Sequence, residues 1–478
     1  MQFNSFAFLG FFAVLAGLYY VVPQRWRWPL LLLASYYFYS QFQIVYVLLL
    51  AYSTLCAYGF GIWLVQRETP SRSLLAVGIA LQLAVLFLFK YVDFFAGLIE
   101  ASFAPLAGAE AMALPRLGWL LPAGLSFFVF SAISYLFDVY RRTLPAERHL
   151  GHFALYVAFF PKLVAGPIER AAPFLTQLRE GAVFSTAGVT LGMQLLLWGL
   201  FKKVVIADNL AIFADAGFTN PAFQSPITLI VAVYFYAFQI YCDFSGYSDI
   251  AIGLAAILGY RLMENFRRPY FSRSVPEFWS HRWHISLANW FRDYLYIPMG
   301  GNRVSRPRWY FNQMTVFMVS GLWHGANLTF VIWGALNGFY QVLYFALGGA
   351  RKAASARLPK LVWGALGLLL TFHLVLFSWI FFRAASVGDA FMVIGKIWSG
   401  LGMLPMLLPA YNWSTSFWVA IGLIGLLLLV EILDEFHSLW TWLTRLSTPV
   451  RWGFYYGLLG LLLVVGQWGM SRFVYMQF

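Results

Sequence analysis

The sequence predicts an all-α protein that crosses a membrane many times. Of its 478 residues, 61% are hydrophobic and only 11% are charged, and the mean hydropathy is +0.71. Soluble globular proteins carry about 25% charged residues, so this chain could not cover itself with a polar surface. Apolar runs of about 20 residues, the length that spans a bilayer core as a helix, recur along the chain. We therefore expect one helical membrane domain over residues 1–478.

Twelve apolar segments are the candidate membrane helices. The segment 6–22 lacks the basic start and the cleavage site of a signal peptide, so we interpret it as a retained first helix. Segments 28–40 and 153–167 are short for a ~30 Å hydrocarbon core, and we expect them to be tilted or re-entrant. Met392–Leu408 is apolar but interrupted by glycine and proline, which favours an interfacial position. The remaining candidates are 44–65, 74–99, 117–138, 186–213, 226–258, 309–347, 361–382, 415–435 and 452–470.

Basic residues alternate between successive loops of this chain. The segments after the first, third and fifth candidate helices carry arginines, whereas the turns 41–43 and 101–114 have none. Cytoplasmic loops of membrane proteins are enriched in Lys and Arg. We therefore predict an extracytoplasmic N-terminus, with the arginine-bearing loops and the segment 441–451 in the cytoplasm. The arginines concerned are Arg25, Arg27, Arg67, Arg72, Arg141, Arg142 and Arg148.

The net charge of +13, from 32 Lys and Arg against 19 Asp and Glu, fits such loops facing anionic lipid headgroups. No nucleic-acid-binding motif accompanies this charge, so it does not indicate nucleic acid as a partner. The only cysteines, Cys56 and Cys242, both lie in apolar runs. They form neither a disulfide framework nor a metal-ligand set, and we predict no metal and no permanently bound cofactor.

Between Tyr260 and Trp309 the hydropathy falls sharply. Residues 261–308 hold nine arginines and three acidic residues, a net charge of +6 (nine minus three). A cytoplasmic or re-entrant loop explains the arginines near its ends, but not the large apolar side chains that recur along one helical face. We therefore predict an amphipathic helix over 283–297 that dips into the bundle. The face comprises Trp283, Leu287, Trp290, Phe291 and Tyr294.

His324 is the first candidate for chemistry, because it lies inside an apolar run. An ionisable side chain at membrane depth is costly and is by default a functional hypothesis. The alternative is a neutral histidine bonded to a neighbouring helix. Gly321 and Gly325 flank it and leave room for close approach of a backbone or a ligand.

His284, in the predicted amphipathic helix, is the second candidate. It forms an i, i+3 pair with His281, but no further ligands stand at the usual metal-binding spacing, so a titratable role beside His324 is the better hypothesis. His373 also lies in an apolar run, and we interpret it as structural because no other polar residues cluster around it.

A third cluster of polar residues interrupts the run 226–258. Ser245 and Asp249 are four residues apart and share a helix face, whereas Asp243 lies on another. Acidic residues at this depth must face protein or water. Both a proton relay of a transporter and a polar wall of a substrate tunnel are compatible with this pattern.

The combination of these features favours acyl transfer. No serine-hydrolase elbow, phosphate-binding loop or zinc-protease motif is present. What remains is a base-type histidine in a bilayer, approached through an arginine-rich segment that would attract an anionic donor. Such a histidine could take the proton of an acceptor hydroxyl as that hydroxyl attacks a thioester carbonyl. We select Asn289, Trp323, Arg273 and Arg303 as further candidate substrate-binding residues.

Several of these segments, taken together, resemble the membrane-bound O-acyltransferase (MBOAT) family, and within it the bacterial branch that modifies alginate and teichoic acids. The matching segments occur in family order over about two thirds of the chain. They are Leu121–Phe127, Phe159–Ile168, Asp243–Asp249, Asn265–Tyr270, Trp283–Arg303 and Trp323–Gly325.

The resemblance implies a function and a site. His324 corresponds to the family's catalytic histidine and His284 to its second signature histidine. The implied fold is a ring of about eleven transmembrane helices around a thin centre, where two funnels meet. The implied reaction moves an acetyl or other short acyl group from a cytoplasmic thioester, on coenzyme A (acetyl-CoA) or a phosphopantetheine carrier, toward an exported polysaccharide. A periplasmic or membrane-anchored acyltransferase partner would complete it, at a bacterial inner membrane.

Two other functions stay open at this point. A proton-coupled transporter would use Asp243, Asp249 and His373, although the chain lacks the paired halves that common transporter folds show. A scaffold that only recruits an exported transferase would not need His324 at all. Loss of acyl transfer in a His324→Ala variant would separate the enzyme from both.

Overall fold

The computed structural model describes residues 1–107, 114–436, 442–443, 445–469 and 473–474, and throughout these ranges every regular element is helical. The predicted turn 101–114 lies partly outside them. The helices of the first half are α1 (Phe6–Val21), α2 (Gln24–Ser40), α3 (Tyr46–Gln66), α4 (Arg72–Lys90), α5 (Val92–Ala107), α6 (Leu125–Tyr140), α7 (Leu150–Ala158), α8 (Phe160–Leu163), α9 (Ala171–Glu180), α10 (Thr186–Leu200), α11 (Asp208–Phe218) and α12 (Pro226–Ile257).

The second half contains shorter helices in the polar segment and long ones on either side of it. In the first half, a π-helical turn at Phe201–Ala207 also joins α10 to α11. The helices of the second half are α13 (Val275–Glu277), α14 (Ile285–Phe291), α15 (Arg306–His324), α16 (Leu328–Ala346), α17 (Gly348–Ser355), α18 (Lys360–Arg383), α19 (Val387–Gly400), α20 (Leu404–Ala410), α21 (Thr415–Phe436) and α22 (Thr448–Val464).

Eight helical segments within the described ranges are long and apolar enough to cross a membrane, and two shorter apolar helices, α1 and α6, accompany them. The chain is therefore a multi-pass, all-helical membrane protein. One of the eight, Val387–Ala410, is only 11% buried and is broken by a tight turn at Leu401–Met403. Its interfacial position stays a prediction.

The structure corrects four predicted membrane helices. The segment 153–167 is divided at Phe159 between α7 and the short α8, which ends at Leu163. The segment 309–347 is a hairpin of α15 and α16, because the backbone becomes extended at Gly325 and Asn327 caps a new helix by accepting from the Thr329 N–H. The segment 74–99 is divided at Tyr91 between α4 and α5. The helix predicted at 117–138 begins only at Leu125, after the left-handed Gly124.

Glycines let the central helices approach closely. A Cβ atom at Gly192 would lie 2.6 Å from the Gly253 carbonyl oxygen, and one at Gly199 would lie 2.6 Å from that of Gly246, so α10 packs directly on α12. Small residues at helix contacts are the usual means of such packing in membranes. At Gly321 the nearest atom would be the Phe330 carbonyl oxygen, at 2.2 Å, which sets α15 against α16 in the same way.

The arginine-bearing loops meet at one end of the bundle, called here the basic-loop end. Arg27 donates to the Ala182 carbonyl, Arg141 to that of Asp293 and Arg142 to that of Arg67. Arg268 and Arg282 both pair with Glu435 at the end of α21. The loops that alternate with them, including the end of α4 and the α15–α16 turn, lie at the opposite end.

Candidate active site

The segment 283–297 enters the bundle on one apolar face, as its periodicity predicts. Its five large side chains are all buried: Trp283, Leu287, Trp290, Phe291 and Tyr294. The helix starts at Ile285 rather than at residue 283, because His284 adopts a left-handed backbone conformation with φ +44°. A non-glycine residue is rarely found there, and such strain is concentrated at functional sites.

Asn265 holds the start of this segment in place. Its carbonyl oxygen accepts from the Ile285 N–H at 2.9 Å. Its side-chain oxygen accepts from the Ser286 hydroxyl at 2.8 Å and from the Ser286 N–H at 3.3 Å. Its side-chain nitrogen donates to the Ser248 hydroxyl at 3.0 Å on α12. The left-handed turn at His284 is thus fixed by three contacts to one buried asparagine, one to its backbone carbonyl and two to its side-chain oxygen.

The same amide assigns the tautomer of His284. The Ser286 N–H can only donate, so the atom of Asn265 that faces it must be the oxygen. That oxygen lies 3.0 Å from His284 Nδ1. Nδ1 must therefore carry the proton, and in the neutral ring Nε2 holds the lone pair. In this tautomer Nε2 is the ring nitrogen that can accept a hydrogen bond.

His324 is the last residue of α15 and is surrounded by aromatic rings. Trp323, Trp333 and Phe382 have ring centroids 4.9, 5.0 and 5.3 Å from that of the imidazole. At Gly325, which follows it, a Cβ atom would fall 2.0 Å from the Phe330 ring. Any side chain at residue 325 would therefore displace the Phe330 ring, which packs on the turn immediately after the histidine.

His284 and His324 face one another across a single cavity, called here the histidine cavity. Their ring centroids are 6.4 Å apart, and both residues are buried. The cavity has a volume of about 410 Å³ and extends from His324 to exposed residues of the basic-loop end, including His281 and Arg292. Its wall also includes Asn289, Gln313 and Ser320.

On its other side His324 lines a much smaller space, called here the Lys90 recess. This recess has a volume of about 30 Å³ and is bounded by Lys90, Trp323 and the segment 121–127. It has room for about one water molecule. His324 therefore separates a large cavity, reached from the basic-loop end, from a narrow recess toward the opposite end.

Two of the predicted polar residues serve the framework instead of the histidines. Asp243 accepts from Lys203 Nζ at 2.7 Å and from the Val474 N–H at 2.7 Å, and Lys203 also pairs with Asp208. Ser245 accepts from Lys202 Nζ at 2.9 Å. All these side chains are buried, and neither Asp243 nor Ser245 lines a cavity with His284 or His324.

The other predicted substrate-binding residues lie at the histidines, in a separate cavity, or on the exposed surface. Trp323 lies 5.9 Å from His284, ring to ring, and Asn289 lines the histidine cavity. Asp249 pairs with Lys202 at 2.5 Å in a separate charged cavity of about 470 Å³. Arg273 and Arg303 are exposed, and neither lines the histidine cavity or the Lys90 recess.

Three residues at the site were not selected from the sequence. Arg292 lines the histidine cavity although it appeared only as one of nine loop arginines. Asn265 and Lys90 make their contacts with partners far away in sequence. The only sequence signal for Asn265 was its position as a polar residue in a segment that matches the family, close to the apolar face of 283–297. Lys90 lies inside the predicted apolar segment 74–99, so its signal was the one that selected His324, an ionisable residue within a membrane helix.

The residues that the alternative functions need lie apart. His373 donates from Nδ1 to the Leu369 carbonyl and meets the Tyr234 hydroxyl at 2.9 Å through Nε2, which is a structural arrangement. Asp243 and Asp249 are each paired with a different lysine. Over the described part of the chain, no three His, Cys, Asp or Glu residues are grouped closely enough to hold a metal ion.

Comparison with known proteins places the chain in a family. Residues 31–387 match the model of the membrane-bound O-acyltransferase family. The chain is 41% identical to the probable alginate O-acetylase of Pseudomonas putida over 401 residues, 83% of this chain and 79% of the relative. It is 35% identical to the peptidoglycan O-acetyltransferase of Helicobacter pylori over 416 residues (81% and 76%).

A more distant relative is the teichoic acid D-alanyltransferase of Bacillus subtilis, 26% identical over 270 residues that make up 54% of this chain and 68% of the relative. The match to the family model covers most of the chain, including both histidines and the elements that bring them together. The chain belongs to the membrane-bound O-acyltransferase family and is a membrane-bound acyltransferase.

Proposed function

We propose that this protein moves an acetyl group from a cytoplasmic thioester toward an exported polysaccharide, with His324 as the catalytic base. The observation that carries this proposal is the position of His324, in the wall between the histidine cavity and the Lys90 recess. A base in that position can act on a donor held in the cavity and an acceptor presented from the recess. Acetyl is favoured because two of the relatives are named as O-acetylating enzymes.

The chemical step follows from these positions. The acceptor hydroxyl attacks the thioester carbonyl while His324 takes its proton. An oxygen–carbon bond forms, the carbon–sulfur bond breaks, and the proton passes to the departing thiolate, so the histidine is regenerated. His284, whose Nε2 holds a lone pair, lies close enough to orient the imidazole of His324 or a water between the two rings.

The donor is a coenzyme A thioester or a phosphopantetheine carrier. Both are anionic and both end in a slender arm. The histidine cavity, at about 410 Å³, is within the usual range of small-molecule sites, roughly 300–1,000 Å³. Arg292 lines the exposed end of this cavity, where it pairs with Asp293 at 2.8 Å, and its guanidinium would meet the phosphates of an entering donor.

The membrane orientation completes the proposal. We place the basic-loop end in the cytoplasm and the N-terminus outside, at a bacterial inner membrane, because basic loops are retained on the cytoplasmic side. Reporter fusions after residues 69 and 145, with green fluorescent protein and alkaline phosphatase, should give fluorescence without phosphatase activity. The reverse result would invert the orientation.

A purified-protein assay tests the catalytic proposal. Acetyl-CoA cleavage and acetyl transfer should be lost in His324→Ala, and His284→Ala should lower turnover more than it weakens donor binding. His373→Phe is a matched control, a membrane histidine with its own hydrogen-bond partners, and should retain activity. Unchanged turnover in His324→Ala would refute the base. Mass spectrometry of the polysaccharides of a deletion strain and its parent would identify the acceptor polymer.

A further inference from the structure

The ends of α4 and α15 meet at a single lysine. Lys90, the last residue of α4, donates from Nζ to the carbonyl oxygens of Trp323 at 2.6 Å and of His324 at 3.0 Å. The next residue, Tyr91, donates its hydroxyl to the Leu322 carbonyl at 2.8 Å. The helix that ends in His324 is thus attached to α4 through its own backbone.

These contacts account for the end of α15. An α-helix leaves its last four carbonyl groups without partners inside the helix. The Gly321 carbonyl accepts from the Gly325 N–H at 3.2 Å, and the other three are those that Lys90 and Tyr91 bind. The chain itself cannot supply these bonds, since the backbone at Gly325 is extended, with φ −158°.

Electrostatics favours a cation at this position. The C-terminus of a helix carries a partial negative charge from its unpaired carbonyl groups. Because α4 ends at Lys90 and α15 ends at His324, the ammonium group lies at two such termini at once. The helix-terminal carbonyls of Trp323 and His324 provide two of the hydrogen-bond acceptors that the ammonium group needs.

The lysine is also part of the site. Lys90 and His324 both line the Lys90 recess, on the side of the imidazole away from the histidine cavity. Any displacement of the end of α15 would therefore move His324 relative to both spaces. A displacement of about 1 Å at a reacting group can lower a rate by roughly 100-fold.

We propose that Lys90 is a positioning residue of this acyltransferase, which fixes His324 by binding the last two carbonyl groups of its helix. This inference rests on the proposed role of His324. It assigns to Lys90 an effect on turnover and not on donor binding, because the lysine touches the recess and not the histidine cavity.

The experiment compares lysine variants of the full-length purified protein with acetyl-CoA as donor. In Lys90→Met, which keeps the length of the side chain but removes its donors, kcat should fall roughly 10- to 100-fold while the donor KM stays within about twofold. Lys90→Arg, which can still donate to both carbonyls, should recover most of kcat. Tyr91→Phe, which removes one contact and no charge, should have a smaller effect.

Lys396 provides a matched control. It too donates from its ammonium group to backbone carbonyls, those of Pro221 at 3.2 Å and Gln224 at 3.0 Å, but it lines neither the cavity nor the recess. Lys396→Met should keep wild-type kcat. Wild-type kcat in Lys90→Met would overturn the inference, as would an equal loss in both methionine variants or a loss confined to KM.

A second measurement does not depend on turnover. Diethyl pyrocarbonate acylates exposed imidazoles, and peptide mass spectrometry can follow the modification of His324. The rate should increase several-fold in Lys90→Met and not in Lys396→Met. An unchanged rate would overturn the positioning role even if His324 proved not to be the base. Failure of the proposed function would instead appear as equal acetyl-CoA cleavage by the wild type and His324→Ala.

Discussion

At the scale of single residues, the state of His284 follows from its neighbours. The Ser286 N–H fixes which atom of Asn265 faces the imidazole, and this fixes the proton on Nδ1. The left-handed backbone of His284 is held by the same asparagine. One residue therefore determines both where the imidazole lies and which of its nitrogens carries the proton.

We expect Asn265→Ala to lower kcat by roughly 10- to 100-fold, because the imidazole would lose its orientation and the proton of Nδ1 its acceptor. Donor KM should change little. A remote asparagine is the control: Asn209 donates to the Val205 and Val465 carbonyls away from the site. Steady-state kinetics would show the difference, and similar kcat values for Asn265→Ala and Asn209→Ala would argue against a specific role.

At the scale of elements, the hairpin of α15 and α16 carries His324 to its place. Gly321 and Gly334 bring the two helices into contact: Cβ atoms there would lie 2.2 and 2.3 Å from the carbonyl oxygens of Phe330 and Phe317. These neighbours are backbone atoms and cannot rotate away. The helix pair must therefore separate if either glycine gains a side chain.

Gly321→Ala should destabilise the protein by about 1–3 kcal/mol through overpacking and should reduce acyl transfer further, since the shift occurs one turn before His324. Gly422→Ala on α21 adds the same methyl group where no atom lies within 4 Å and should be neutral. Thermal unfolding and turnover measured together would test this. Equal behaviour of the two variants would mean that the close contact is not required.

The elements also show how far the sequence could predict the structure. The apolar face of 283–297 and the isolated histidines were visible because periodicity and burial of charge leave local patterns. The α15–α16 turn was missed because both helices are apolar, so hydropathy continues across it. Length could have revealed it, since a single helix of residues 309–347 would be about 58 Å long at 1.5 Å per residue.

The remaining features could not be seen in the sequence for physical reasons. Lys90 binds backbone carbonyls more than 230 residues away, and a carbonyl carries no sequence signal. Asp243 was a reasonable site candidate because burying a charged carboxylate costs free energy. Its ion pair with Lys203 inside the helix framework offsets that cost. Whether a buried charge is functional or only neutralised depends on tertiary partners, which are known only from the fold.

At the scale of the whole molecule, the proposed entry of an anionic donor depends on which arginines lie near the histidine cavity. Arg292 lines that cavity and its side chain is 58% exposed, whereas Arg273 and Arg303 are exposed elsewhere on the same polar segment. A charge at the mouth of a cavity acts on an anionic donor more strongly than one at a distance, and salt screens both.

The effect of charge reversal should be larger for the arginine that lines the histidine cavity than for the two that do not. Arg292→Glu should raise the KM for acetyl-CoA more than Arg273→Glu or Arg303→Glu. All three effects should become smaller as the salt concentration rises from ~0.01 M to ~0.15 M, because the electrostatic screening length falls from about 30 to about 8 Å. Initial rates at several ionic strengths would show this. Effects independent of salt would mean that the arginines act by direct contact or not at all.

On the proposed mechanism, the depth of His324 determines how the acyl group leaves. The helix α15 has 19 residues and is about 28 Å long at 1.5 Å per residue. His324 is its last residue, so the imidazole lies nearly one bilayer core, ~30 Å, from the basic-loop end. Along α15 the histidine cavity is lined from Gln313 to His324, and Arg292 and His281 at its other end are exposed. The Lys90 recess, at about 30 Å³, is too small for a sugar ring.

A polysaccharide therefore cannot reach His324 in this conformation, and we expect the acyl group to be passed to a slender hydroxyl-bearing group of a partner acyltransferase, presented from the side of the recess. Reconstituted alone in liposomes with internal acetyl-CoA and external polysaccharide, the protein should leave the polymer unmodified. Adding the periplasmic and outer-face proteins of a host strain that lacks this protein should restore acetylation of the polymer. The same mixture with the His324→Ala variant in the liposomes should leave the polymer unmodified. Efficient acetylation of the polymer by the reconstituted protein without any partner would show that the recess opens wide enough for the sugar and that no hand-off takes place.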